Sequence, residues 1–154
     1  MISSVLIVGS NQNSTLESSY ARAMQGLDRD VRFWRPLAAL QQVLPGGPLF
    51  RFLTMYVQVE PWIRKASRDL VLRVRALAPD LVFVFPNRVL RAGTLAQIKT
   101  STSARIVCIW PDTLVNWDTH QSACLPLYDL VATYSQSTIS VLESLGAKRV
   151  AWVP

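Results

Sequence analysis

The sequence predicts an α/β fold: a doubly wound sheet of about six parallel strands with helices on both faces, in a single domain of 154 residues. Three observations predict it. Short apolar runs, several of them β-branched, begin at Val5, Val31, Leu81, Ile106, Leu130 and Val150. Segments with helical spacing of apolar residues stand between most of them. Strands that alternate with helices need parallel pairing through right-handed crossovers.

The elements follow in order. Val5 to Val8 is continuously apolar, as in a strand buried on both faces, and ends at Gly9. The polar loop Ser10-Asn11-Gln12-Asn13 leads to Ser14, which with Glu17 reads as a capping box. Leu16, Tyr20, Ala23, Met24 and Leu27 recur at helical spacing behind it. Val31 to Arg35 is a second strand, stopped by Pro36. Leu37 to Leu44 fits a helix, Pro45-Gly46-Gly47-Pro48 a turn or loop, and Leu49 to Val59 an apolar helix broken before Pro61. A basic helix runs from about Pro61 to Ala78, its proline suited to the first turn. Leu81 to Phe85, Ile106 to Trp110, Leu130 to Tyr134 and Val150 to Val153 are the remaining strands. Helices are expected over Thr94 to Lys99 and over Ser137 to Leu145, the latter with Ile139, Leu142 and Leu145 inward and Gly146 as its stop.

Composition narrows the class. Half the residues are apolar, yet no run approaches the ~18 to 20 continuous apolar residues of a membrane span. The amino terminus lacks a positive region ahead of its short apolar run, so it does not read as a signal peptide. Cys108 and Cys124 are too few for a disulfide framework and are expected to be reduced, in a cytoplasmic protein. The formal charge is +6, from 16 basic and 10 acidic residues. The densest basic group, Arg64, Lys65, Arg68, Arg73 and Arg75, falls on one helix. Arg64, Arg68 and Arg75 share a face opposite Ile63, Ala66, Leu70, Val74 and Leu77, so a solvated outer face explains them; the sharper reading is a membrane-surface or partner patch. Nucleic acid is not expected as a partner, because no basic stripe is interleaved with aromatics.

In a doubly wound sheet the ligand lies beyond the carboxyl ends of the strands, where strand order reverses. That rule selects Ser10, Asn11, Gln12 and Asn13, then Pro86, Asn87 and Arg88, then Pro111 to His120, then Ser135 to Ser137. The set is rich in amides and hydroxyls, which suits a hydroxyl-bearing ligand better than a bare phosphate. Gly9 stands alone, without the G-x-G-x-x-G of a nicotinamide or flavin site. No P-loop and no G-x-S-x-G elbow occurs, and one His with two distant Cys assembles no zinc cluster, so no metal is expected. The loop Trp110 to Gln121 offers Asp112, Asp118 and His120 beside Trp117. Asp112 or His120 could act as a general base on an acceptor hydroxyl, and an indole face can stack on a sugar ring. Taken singly, each of these residues is better explained by turn formation, water contact or an ordinary loop position.

The stretch from SVLIVGS through VRFW, APDLVFVF and RIVCIWPDT to LYDLVATYSQSTISVLESLGAKRVAWVP resembles the N-terminal half of GT-B glycosyltransferases. It most resembles the group related to the spore maturation protein CgeB. The tail carries most of the likeness: Tyr128 to Val131, Ser135, Leu142, Leu145-Gly146-Ala147, Val150 and Val153-Pro154. The resemblance implies a Rossmann-like lobe that holds the hydroxyl acceptor while a second, C-terminal lobe binds the nucleotide-sugar, with no resident cofactor. That donor lobe would follow Pro154, and the acceptor lobe alone would be inactive. Asp112 or His120 would be the base; Asn11, Gln12, Asn13, Asn87, Arg88, Trp117, Asp118 and Ser135 would be acceptor contacts. The rival reading is a free-standing Rossmann-like binding domain without catalysis, in which an exposed apolar face is covered by dimerisation.

Overall fold

The computed structural model describes residues 2–46, 57–110 and 118–153. It is a Rossmann-like α/β fold. The six strands are β1 Ser4–Val8, β2 Asp30–Trp34, β3 Leu81–Val84, β4 Arg105–Trp110, β5 Leu130–Thr133 and β6 Val150–Trp152. They form one sheet in the order β2-β1-β3-β4-β5-β6, with every neighbouring pair parallel. Between them lie α1 Leu16–Gln25, α2 Pro36–Val43, α3 Glu60–Leu77, α4 Ala92–Ser101, α5 Thr119–Cys124 and α6 Ile139–Ser144. The chain steps once to one side, from β1 to β2, then crosses β1 and proceeds steadily the other way. Right-handed crossovers put helices reached by opposite steps on opposite faces. Accordingly α1 packs on one face, and α2, α3, α4 and α6 pack on the other.

Alternation along each strand divides the core in two. Leu6, Val8, Val82, Val84, Ile106, Cys108 and Val131 face the larger cluster, with Leu70 and Val74 of α3, Leu95 and Ile98 of α4 and Leu142 of α6. Val5, Ile7, Leu81, Phe83, Phe85, Ile109 and Ala132 face the smaller one, closed by Ala21, Tyr20 and Met24 of α1. The expected inner faces need correction at their ends. Leu27, Leu77 and Leu145 are 67%, 44% and 39% exposed, each at or just beyond the carboxyl end of its helix, and Leu16, the first residue of α1, is 37% exposed. The start of α1 also differs. Thr15, not Ser14, is the N-cap, its hydroxyl accepting from the Ser18 N–H. Gly146 does stop α6, with φ of 101° in the left-handed region. Residues 57–59 carry no regular structure, and the rest of the helix expected over Leu49 to Val59 lies outside the described residues.

Polar clasps fix the amino ends of the strands. One Asp80 carboxylate oxygen accepts from the backbone N–H groups of Ser3 and Ser4 at 2.7 and 2.9 Å and from both hydroxyls at 2.8 and 3.1 Å. These bonds favour the charged form, and the Ser3 and Ser4 amides hold its pKa well below the ordinary carboxylate range. A carboxylate depressed in the folded state stabilises above its unfolded pKa, and that contribution is lost as pH falls toward the folded value. Asp80→Asn is therefore expected to lower the unfolding free energy at pH 7. The gap from the unsubstituted protein should narrow as denaturant titrations are repeated below about pH 4. Asp129 makes the matching clasp on β4, accepting from Ile106 N–H at 2.7 Å and pairing with Lys99. Trp34, 1% exposed, donates its indole N–H to Asp69 at 2.8 Å and so ties β2 to α3.

Candidate functional site

Strand order reverses between β1 and β3, and a cleft of about 550 Å³ opens there at the carboxyl ends of the strands. Its walls come from Gly9 to Gln12 after β1, Arg35 to Ala38 and Gln41 at the start of α2, and Phe85 to Val89 after β3. Ligands of open α/β sheets bind at this place.

The first loop carries a carboxylate of its own. Oxygen Oε1 of Glu17 accepts from the Ser10 N–H at 3.1 Å, so a carboxylate occupies the loop where a dinucleotide fold would bring its diphosphate. Gly9 leaves room for that side chain. A Cβ placed on it would stand 2.7 Å from Glu17 Cγ and 3.1 Å from Oε1. Gly9→Ala is expected to displace Glu17 and destabilise by about 1–3 kcal/mol, the cost of overpacking. The loss should largely vanish in a Glu17→Ala background, a coupling that a double-mutant cycle of denaturant midpoints measures.

The loop after β3 is held rigid from both ends. The Asn87 side chain donates to the Phe85 carbonyl at 3.0 Å and accepts from the N–H groups of Val89 and Leu90 at 3.1 and 3.0 Å. Its Oδ1 therefore builds the turn. Behind it Arg91, with a side chain only 11% exposed, reaches both carboxylate oxygens of Glu60 at 3.2–3.3 Å. The same guanidinium donates to Gln58 Oε1 at 2.9 Å and to the carbonyls of Arg88 and Leu90 at 2.7 and 3.2 Å. This planar fork anchors the cleft wall to the start of α3.

Of the residues selected from sequence, Asn11, Gln12, Asn87 and Arg88 line this one cleft. Asn13 is exposed in the same loop but does not line it. Asp118 is the N-cap of α5: its Oδ1 accepts from Gln121 N–H at 2.8 Å, and Gln121 Oε1 accepts in return from Asp118 N–H at 3.2 Å. His120 is exposed on the first turn of α5, away from the cleft lining. Ser135 opens a 3₁₀ turn after β5, its hydroxyl 2.8 Å from that of Ser137. Asp112 and Trp117 lie outside the described residues.

No protein-family model matches the chain, and no curated protein is significantly similar to it. The geometry must carry the functional argument. It adds two polar lining residues that the strand-end rule does not select, Glu17 and Gln41, and brings in Arg35, which at the end of β2 reads more simply as a surface residue. Glu17 had a ready explanation as a helix-start residue, and Arg35 and Gln41 enter from α2, a helix with weak sequence signals. The cysteines contribute no site. Tyr128 is buried beside both thiols. Burial pushes Cys108 far up and Cys124 up to about 11, so both stay protonated and unreactive at neutral pH. Among the described residues no group of three His, Cys, Asp or Glu side chains is placed to hold a metal, and no helix is long and apolar enough to cross a membrane.

Proposed function

We propose that this domain is the acceptor-side lobe of a GT-B-type glycosyltransferase, transferring a sugar from a nucleotide-sugar to a hydroxyl acceptor. The observation that carries this reading is a preformed cleft at the switch point whose first loop already holds a carboxylate. In a lobe built this way the Ser10 N–H that a diphosphate would use is already taken, while the cleft offers amides and hydroxyls to a hydroxyl-bearing molecule. The donor nucleotide then belongs to a second lobe. The base we assign is Glu17, the one carboxylate among the described lining residues, whose only described hydrogen-bond partner is the Ser10 N–H. A carboxylate so placed can take the proton of an acceptor hydroxyl as it attacks the sugar. Asp112 and His120, which follow β4 in the sequence, are the alternative bases, and Asp112 serves as the control.

Titration of the ¹⁵N-labelled domain tests the reading directly. Simple glycosides are expected to shift the amides of Ser10, Asn11 and Asn87, while nucleotide-sugars and NAD leave them in place. Tight NAD binding through Ser10 would overturn the proposal. The same domain would then be a dinucleotide-binding module, despite its missing glycine run.

A further inference from the structure

The cleft does not end at Arg88. A second cavity of about 210 Å³ shares Leu37, Arg88 and Val89 with it and continues past Leu40, Val57, Trp62 and Ile63. The two ends differ in chemistry. At the first end Ser10, Asn11, Gln12, Arg35 and Arg88 supply polar groups, and Glu17 is the one carboxylate among the described lining residues. Arg35 has no carboxylate partner among the described residues. At the second end the lining is aliphatic and indole, apart from Arg88 at the junction and Gln58, whose side-chain oxygen Arg91 already holds. Leu37, at the junction, is 70% exposed and Val57, on the rim, 50% exposed. Large apolar side chains left open beside a polar cleft mark the path of an apolar ligand group.

We propose that the acceptor is an anionic amphiphile. Its hydroxyl-bearing, negatively charged head occupies the cleft against Arg35, and its hydrocarbon tail lies along Leu37, Leu40, Val57 and Trp62. This rests on the acceptor-lobe reading and names the substrate class for it. The head satisfies the unmatched cation. The tail covers apolar surface that an all-polar acceptor leaves in water, and each methylene removed from water is worth about fourfold in affinity.

Three glycosides, each below its micelle concentration, separate the outcomes in ¹⁵N titrations of the domain: methyl β-glucuronide, octyl β-glucuronide and octyl β-glucoside. Octyl glucuronide is expected to bind at least tenfold more tightly than methyl glucuronide, moving the Trp62 indole and Val57 amide together with Ser10 and Asn87. Val57→Asp should reduce the octyl compound toward the methyl one, and Arg35→Ala should erase the preference for glucuronide over glucoside. Equal binding of the methyl and octyl glucuronides, with shifts confined to Ser10 to Gln12 and Asn87, overturns the amphiphile and leaves the acceptor lobe standing. Shifts at Trp62 and Val57 without any in the cleft mean detergent adhesion and also overturn it. Silence from all three glycosides removes both proposals.

Discussion

Glu17→Gln is expected to cut sugar transfer about a hundredfold or more, the scale on which general bases act. Glutamine keeps an oxygen to accept the Ser10 N–H and keeps the volume that Gly9 leaves open, so loop one should hold its shape. What it loses is the capacity to take a proton. Assayed with the donor lobe present, the loss should fall on kcat, with little change in the acceptor KM and a melting temperature within a few degrees of the unsubstituted protein. Asp112→Asn, measured in parallel, distinguishes the two carboxylates. Full activity of the Glu17 variant with an inactive Asp112 variant would leave Glu17 a purely structural part of the loop.

Arg91→Met is expected to cost about 2–3 kcal/mol of stability, since it leaves the half-buried Glu60 carboxylate and two loop carbonyls without their shared donor. The value is set below that of a fully buried pair because Glu60 is 38% exposed. In a chain of this length that shift lowers the melting temperature by roughly 5–10 °C. Arg91→Lys should recover only a small part, because an ammonium cannot span two carboxylate oxygens, an amide and two carbonyls at once. Amide exchange at Val89 and Leu90 should accelerate in both variants, since those amides close the Asn87 turn. Unchanged exchange would show that Asn87 alone holds the wall.

The inner strands were legible because each is a short apolar run largely buried on both faces, where burial leaves little choice of residue; the edge strands β2 and β6 are half exposed and showed through their β-branched and aromatic residues. The switch-point rule then placed Asn11, Gln12, Asn87 and Arg88 at one rim without any motif. The remaining features were hidden for physical reasons. Glu17 belongs to loop one only because the chain folds its helix back over Gly9, and in sequence Ser14-x-x-Glu17 is indistinguishable from a capping box. Arg91 and Glu60 are 31 positions apart and meet through the packing of α4 on α3. Arg35 reads as the last residue of a strand, but Pro36 starts α2 there and leaves the guanidinium in the cleft. Asp118 looked chemical because it stands near a histidine and a tryptophan, while its two bonds to Gln121 serve the backbone of α5.

The Asp80 clasp has a practical consequence for measurement. Ser3 and Ser4 are gripped at the rim where β1 begins, and five residues of strand separate that rim from the ligand side, about 17 Å. An affinity tag fused ahead of Ser3 leaves the molecule on the side away from the cleft. Immobilised through such a tag, the domain presents its ligand side to the flow, and weak glycoside binding can be read on a sensor surface without the anchor shielding it.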